Sequence, residues 1–153
     1  MISLLRIDDR LIHGQVVVGW GIKLNPDRYV IIDDDIEDWE AELYLGCLED
    51  ESQGEVVTTQ EALERFPEWE KCSQHIVILI KDPFTLKKLT DTSIKLPEVN
   101  LGGLHYLEGK KQFLNCLYLF DDEHDALKCL LDKCKICYQP LPSDCKVDLR
   151  TVL

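Results

Sequence analysis

Apolar positions recur along this chain with two alternating periods. Short apolar runs, Ile2 to Ile7, Arg28 to Asp33, Glu55 to Val57, His75 to Lys81, Glu98 to Leu101, Phe113 to Phe120 and Lys135 to Gln139, read as strands. Between most of them apolar residues return every three or four positions. Gln15 to Leu24 carries Val16, Val17, Trp20 and Leu24 on one helical face, and Asp38 to Leu48 carries Trp39, Leu43 and Cys47 at four-residue steps. Thr58-Thr59-Gln60-Glu61 is a capping-box pattern for a helix to about Phe66, closed by Pro67. Asp82-Pro83 opens a helix to Thr90, and Asp121-Asp122 caps one through about Lys133 with Ala126, Leu127, Leu130 and Leu131 on its apolar face.

Asn25-Pro26-Asp27 is a turn, Glu49 to Gly54 reads as a solvated acidic loop, and Pro140 and Pro142 prevent regular pairing after the last strand. The run from Ile76 to Ile80 is five consecutive aliphatic residues, which suits a central strand buried on both faces. Strand and helix alternate repeatedly. That order predicts one α/β domain over 1–153, an open, mostly parallel twisted sheet of about six to seven strands with helices on both faces.

Composition narrows the function classes. The 153 residues suffice for one substantial core, and 45% hydrophobic with 30% charged residues is a globular balance. A formal charge of -12 repels a phosphate backbone, so nucleic acid is excluded as a partner. No apolar run approaches the roughly 18 residues of a membrane helix and no secretory leader pattern is present, so the expected location is the cytoplasm, without membrane insertion. Seven cysteines, an odd number, are then expected as free thiols.

Candidate chemistry concentrates in Arg6-Ile-Asp-Asp-Arg-Leu-Ile-His-Gly-Gln-Val16, at the end of the first strand. In open parallel sheets that end lies on the usual ligand crevice, and the following helix offers unpaired N–H groups to an anion. An imidazole is largely neutral near pH 7, so His13 can attack phosphorus directly. Arg10 and Arg6 supply permanent planar cations suited to a phosphoryl group. Two readings stay open on local chemistry: a phosphorylatable histidine, or a capping histidine beside a solvated network of Asp8, Asp9 and the arginines.

The same stretch resembles the active-site signature of the mannose/fructose/sorbose-type IIB components of the bacterial sugar phosphotransferase system. Asn100-Leu-Gly-Gly-Leu-His-Tyr-Leu-Glu-Gly-Lys-Lys-Gln112 is similar to that family's second glycine-rich stretch, and Pro142 to Leu149 resembles its finish. The likeness covers nearly the whole chain. It departs at two glycines after the loop and at Leu104, where methionine is frequent, and neither departure touches His13 or Arg10.

The resemblance implies a protein-Nπ-phosphohistidine–sugar phosphotransferase. His13 would take phosphate on Nδ1 from a IIA-type phosphohistidine protein and pass it to a sugar held by a membrane IIC/IID permease. Arg10 is expected on the phosphoryl oxygens, with backbone N–H groups near Gly14 and Gln15. Asp9 is expected to orient Arg10 or the loop, and Arg6 and Lys110 to add positive charge. A regulatory phosphoprotein, phosphorylated on His13 but uncoupled from transport, is the alternative.

Other constellations point elsewhere than to chemistry. Cys134-x-x-Cys137 lacks a second ligand pair for zinc and closes a helix rather than opening one, so packing thiols are expected and no metal. Gly102-Gly103 is not a G-x-G-x-x-G fingerprint and no Walker-type lysine follows, so no nucleotide cofactor is expected. His105 sits in the second glycine stretch, where shaping the turn and approaching the phosphoryl group are both open to it.

Overall fold

The computed structural model describes residues 1–49 and 52–153. Strand β1 (Ile2–Asp8) leads through a loop into a π-helical segment (Gln15–Trp20) continued by α1 (Gly21–Leu24). Then come β2 (Arg28–Ile32), α2 (Asp38–Leu45), β3 (Gln53–Val57), α3 (Thr59–Lys71), β4 (Ile76–Ile80), α4 (Pro83–Thr90) and β5 (Val99–Gly103). The remainder is β6 (Lys111–Leu114), β7 (Leu117–Leu119), α5 (Asp121–Leu131), β8 (Ile136–Tyr138), β9 (Val147–Asp148) and a 3₁₀ turn (Leu149–Thr151).

Seven strands form one sheet in the order β3-β2-β4-β1-β5-β8-β9, parallel except for β9. This is the mostly parallel α/β sheet that the alternation predicts. From β1 the chain builds outward through β2 and β3, returns to β4, and then steps across β1 to β5. The outward connections therefore put the Gln15–Trp20 segment and α2 on one face and the return connections put α3 and α4 on the other, a reversal that by rule leaves a crevice at the carboxyl ends of the strands.

The strand pleat divides the core. Leu5, Ile7, Val30, Ile32, Ile76, Ile78 and Ile80 face α3, α4 and α5, while Tyr29, Ile31, Val77 and Leu79 face Leu11, Ile12 and Val16 on the other side. Each β-branched residue of β4 is fully buried, as its unbroken apolar run requires.

Several elements differ from the sequence reading. The helix that opens at Thr59 passes through Pro67 to Lys71, because extending it buries Trp69 beside Phe66. Pro67 itself is exposed, so its ring meets solvent rather than core. Phe113 to Phe120 is not one strand. It folds as the β6–β7 hairpin about Asn115-Cys116, a separate antiparallel pair. The two-residue strand β9 follows the strand predicted as last, too short to carry a pattern.

On α2 the spaced residues Trp39 and Leu43 are 61% and 64% exposed, and the helix packs instead through Tyr44 and Leu45. Apolar residues lie around most of that helix, so periodicity singles out no face. The acidic loop predicted over Glu49 to Gly54 includes Asp50 and Glu51, which lie outside the described residues, and Gln53 and Gly54 already belong to β3.

The helix predicted from Gln15 winds partly as π-helix, closing with the Gly21 N–H on the Val16 carbonyl. A Cβ at Gly21 would come within 2.8 Å of the Tyr29 hydroxyl oxygen, so the glycine sets how closely this helix lies on β2.

These burials make a stability prediction. Trp69→Ala is expected to cost about 3–5 kcal/mol in urea denaturation, whereas Trp39→Ala stays within about 0.5 kcal/mol of wild type.

Candidate active site

The carboxyl end of β1 interrupts its apolar run with Arg6 and Asp8. Two residues apart on a strand, they share one face, and both are fully buried. Arg6 donates from Nη2 to Asp8 Oδ2 at 2.8 Å and from Nη1 to Asn100 Oδ1 at 2.5 Å and the Gln139 carbonyl at 3.2 Å. Its guanidinium lies directly over Gly102, where an added Cβ would sit 2.0 Å from Cζ, and 5.8 Å from the Trp20 ring centroid. Burial pulls the Arg6 pKa down, with Asp8 opposing.

Beyond Asp8 the chain turns sharply. Leu11 donates its N–H to the Asp8 carbonyl at 2.9 Å and holds a left-handed φ of 50°. A left-handed leucine costs about 1–2 kcal/mol, offset by burying Leu11 and Ile12 in the smaller core. The turn brings His13 back over Asp8.

Asp8 Oδ2 accepts from His13 Nε2 at 3.1 Å, and Oδ1 accepts from the Arg10 N–H at 3.1 Å. A carboxylate only accepts here, so the imidazole proton sits on Nε2 and the lone pair on Nδ1. Burial pushes the Asp8 carboxyl upward, yet the His13 hydrogen bond and the Arg6 charge outweigh it and hold the group below the usual aspartate value.

Nδ1 faces the helix start, 3.3 Å from the Gln15 N–H. Gln15 Oε1 accepts from Arg10 Nη2 at 2.9 Å, so Arg10, Gln15 and His13 converge at the rim. The His13 side chain is 15% exposed and Arg10 40%, and a Cβ at Gly14 would meet nothing within 4 Å. A nucleophilic nitrogen, an exposed guanidinium and a backbone donor thus border open space.

Residues 2–153 match the model of the PTS system sorbose subfamily IIB component. The chain belongs to the sorbose-type IIB family of the phosphotransferase system. It is 30% identical over 148 residues to the N-acetylgalactosamine-specific phosphotransferase enzyme IIB component 1 of Escherichia coli K12, covering 95% of this chain and 94% of that one. The mannose-specific EIIAB component of the same organism is 26% identical over 130 residues, 84% of this chain and 40% of that longer protein. The IIBSor domain of the sorbose permease from Klebsiella pneumoniae superposes with a TM-score of 0.86 at 26% identity, over 97% of this chain and 93% of that one.

In this IIB chain two residues expected at the phosphate are placed elsewhere. Arg6 is sealed beneath Asp8, because its position on the pleat points it under the helix rather than out of the rim. Lys110 pairs with Glu123 at 3.1 Å and lies 5.1 Å from the Phe120 ring centroid, which ties it to the start of α5. Asp9 binds His105 rather than Arg10: Oδ2 accepts the His105 N–H at 2.6 Å and Oδ1 accepts from its Nδ1 at 2.5 Å.

Asp8, Asp9 and His105 are the grouping of possible metal ligands among the described residues, with atoms within 4.8 Å of one another. These atoms are already engaged with one another and with neighbouring cations: Asp8 accepts from Arg6 and His13, and Asp9 from His105. Cys134 and Cys137 are packed thiols whose pKa values burial pushes up.

Asp8, which holds Arg6, the Arg10 N–H and His13 together, is the site residue that sequence reasoning passed over as a surface partner of the arginines. Its signal was present: a charged pair at period two inside an apolar strand points both residues to one face. Asn100, Gly102 and Gln139 carried no such signal, since they reach Arg6 only through the neighbouring strands β5 and β8.

Asp8 yields a pH prediction. A carboxyl whose folded pKa is depressed contributes stability that is complete above its unfolded value near 3.8 and is lost as pH falls through the lower folded value. Denaturation at a series of pH values is expected to show wild-type stability falling below about pH 4. Asp8→Asn is expected to lose about 3–5 kcal/mol at pH 7, leaving Arg6 buried without its partner, and to fall off less steeply in acid.

Proposed function

We propose that this IIB component is a phosphocarrier, in which His13 accepts a phosphoryl group from a IIA-type phosphohistidine protein and delivers it to a sugar hydroxyl at a IIC/IID permease. The observation that carries this reading is the fixed imidazole: Nε2–H is tied to Asp8 and the Nδ1 lone pair stands at the open rim beside Arg10.

In loading, the donor's P–N bond breaks as the P–Nδ1 bond forms. His13 keeps its Nε2 proton and becomes a phosphoimidazolium, whose positive charge rests on the Asp8 carboxylate. No proton leaves the ring, so no separate base is required. Arg10 and the Gln15 N–H stabilise the equatorial oxygens, and the buried Arg6 keeps Asp8 ionised. Discharge reverses the bond changes: neutral imidazole departs with Nε2–H still on Asp8.

A IIA-type donor accords with the EIIAB architecture of the mannose-specific relative. No helix among the described residues is long and apolar enough to cross a membrane, and we place the chain in the cytoplasm, docking on the permease rather than inserting beside it. Its sugar is set by that permease.

Labelling by a phosphorylated IIA-type protein tests the reading. His13→Ala is expected to abolish labelling, and Arg10→Ala to slow it about 10- to 100-fold with the fold intact, the loss of about 1.5–3 kcal/mol from a charge-assisted contact. Undiminished labelling of the His13→Ala protein removes the proposal.

A further inference from the structure

Resting on the phosphocarrier reading, we propose that His105, held by Asp9, is the base that takes the proton from the acceptor hydroxyl when His13 discharges. The two half-reactions differ by one proton. Transfer between imidazoles moves none, whereas a hydroxyl that becomes a phosphate ester must lose its hydrogen. His13 is badly placed to take it. In-line displacement brings the attacking oxygen onto phosphorus from the side opposite Nδ1, and Nε2 already carries a proton bound to Asp8.

His105 meets the requirements from the loop after β5. Its Nδ1–H is spent on Asp9 Oδ1 at 2.5 Å, which leaves the Nε2 lone pair as the proton acceptor. Asp9 also accepts the His105 N–H at 2.6 Å, so the ring is fixed at both backbone and side chain. A carboxylate on one imidazole nitrogen sets the tautomer and stabilises the imidazolium that forms when the other is protonated.

Placement supports the role. A ring nitrogen of His105 lies within 4.8 Å of an Asp8 carboxylate oxygen, and Asp8 holds His13. The Cε1–Nε2 edge of His105 lies over Gly103: a Cβ there would meet Cε1 at 2.9 Å, Nε2 at 3.4 Å and the Cys116 carbonyl at 3.4 Å. Cys116 in turn lines a cleft of about 360 Å³ with Gln15, Asn115, Tyr138 and Asp144. Gln15, which lines this cleft, also donates its N–H to His13 Nδ1, so one residue links the cleft to the imidazole. The side chain is 35% exposed, open to an acceptor presented from outside.

In the step proposed, the hydroxyl oxygen bonds to phosphorus, the P–Nδ1 bond breaks with its electron pair returning to His13, and the hydroxyl proton moves to His105 Nε2. Solvent then removes that proton, so atoms and charge balance without a further reactant.

The experiment times the two half-reactions separately. Loading uses a purified phosphohistidine-bearing IIA-type protein. Discharge uses permease-bearing membrane vesicles with N-acetylgalactosamine, mannose, fructose and sorbose in turn. His105→Gln and His105→Ala are expected to load at the wild-type rate and to discharge about 100-fold more slowly. Added imidazole is expected to restore discharge to His105→Ala alone.

Undiminished discharge overturns the proposal, as does a parallel fall in loading and discharge, which is the signature of a merely structural turn. In the wild-type protein, where folding of a variant is not at issue, discharge is expected to slow in D₂O and loading to stay unchanged; equal behaviour of the two steps overturns the proton transfer. A wild-type chain that never loads removes the phosphocarrier reading itself. One that loads but discharges to no sugar removes the acceptor hydroxyl, and this proposal with it.

Discussion

A buried guanidinium–carboxylate pair at the end of a central strand is the constraint on which the site depends. Withdrawing two charges from water costs several kcal/mol for each ion, and Arg6 and Asp8 are both fully buried. The surroundings offset that cost through Asn100, the Gln139 carbonyl, the Trp20 ring and the bare backbone of Gly102. Removing the Cβ at position 102 lets β5 lie close enough for the guanidinium to fit. A carboxylate held charged in this setting can do what a solvated one does poorly, which is to fix the tautomer of the imidazole above it.

Rigidity of the His13 loop has its origin in apolar packing. Leu11, Ile12 and Val16 are buried against Tyr29, Ile31, Val77 and Leu79, so the segment carrying His13 is anchored on both sides of it. The left-handed turn at Leu11 and the π-helical winding after Gly14 are both local departures from regular geometry. Together they turn Nε2 down to Asp8 and Nδ1 out toward Gln15 and Arg10. Local strain of this kind persists only where the surrounding core over-determines it.

Asp9 extends the site sideways. Its N–H donates to the Gly103 carbonyl at 3.1 Å while its carboxylate holds His105, so the loops after β1 and β5 are joined at the rim. Adjacent aspartates, Asp8 buried and Asp9 partly exposed, therefore serve different imidazoles. Against the strongly acidic surface, the proposed phosphoryl position relies on a local cation, the Arg10 guanidinium at the rim.

Much of the architecture is legible in the chain. The alternation of apolar runs with helical periods, the capping box at Thr58 and Asp82-Pro83 determine an α/β sheet and place the Arg6 to Val16 stretch at a strand's carboxyl end. The residue types there already place an imidazole among permanent cations, which leaves a phosphorylatable and a capping histidine both open. What the sequence leaves undecided is which charged side chain faces which partner. Arg6 points inward, Asp9 sideways and Lys110 away, and Pro67 sits inside a helix because burying Trp69 outweighs a local penalty. The Arg6 and Asp9 outcomes are decided by partners on and just after β5, 94 and 96 positions away, and that of Lys110 by Glu123 on α5. Local propensity and spacing act over a few residues, whereas burial of a charge is settled by every strand that meets it.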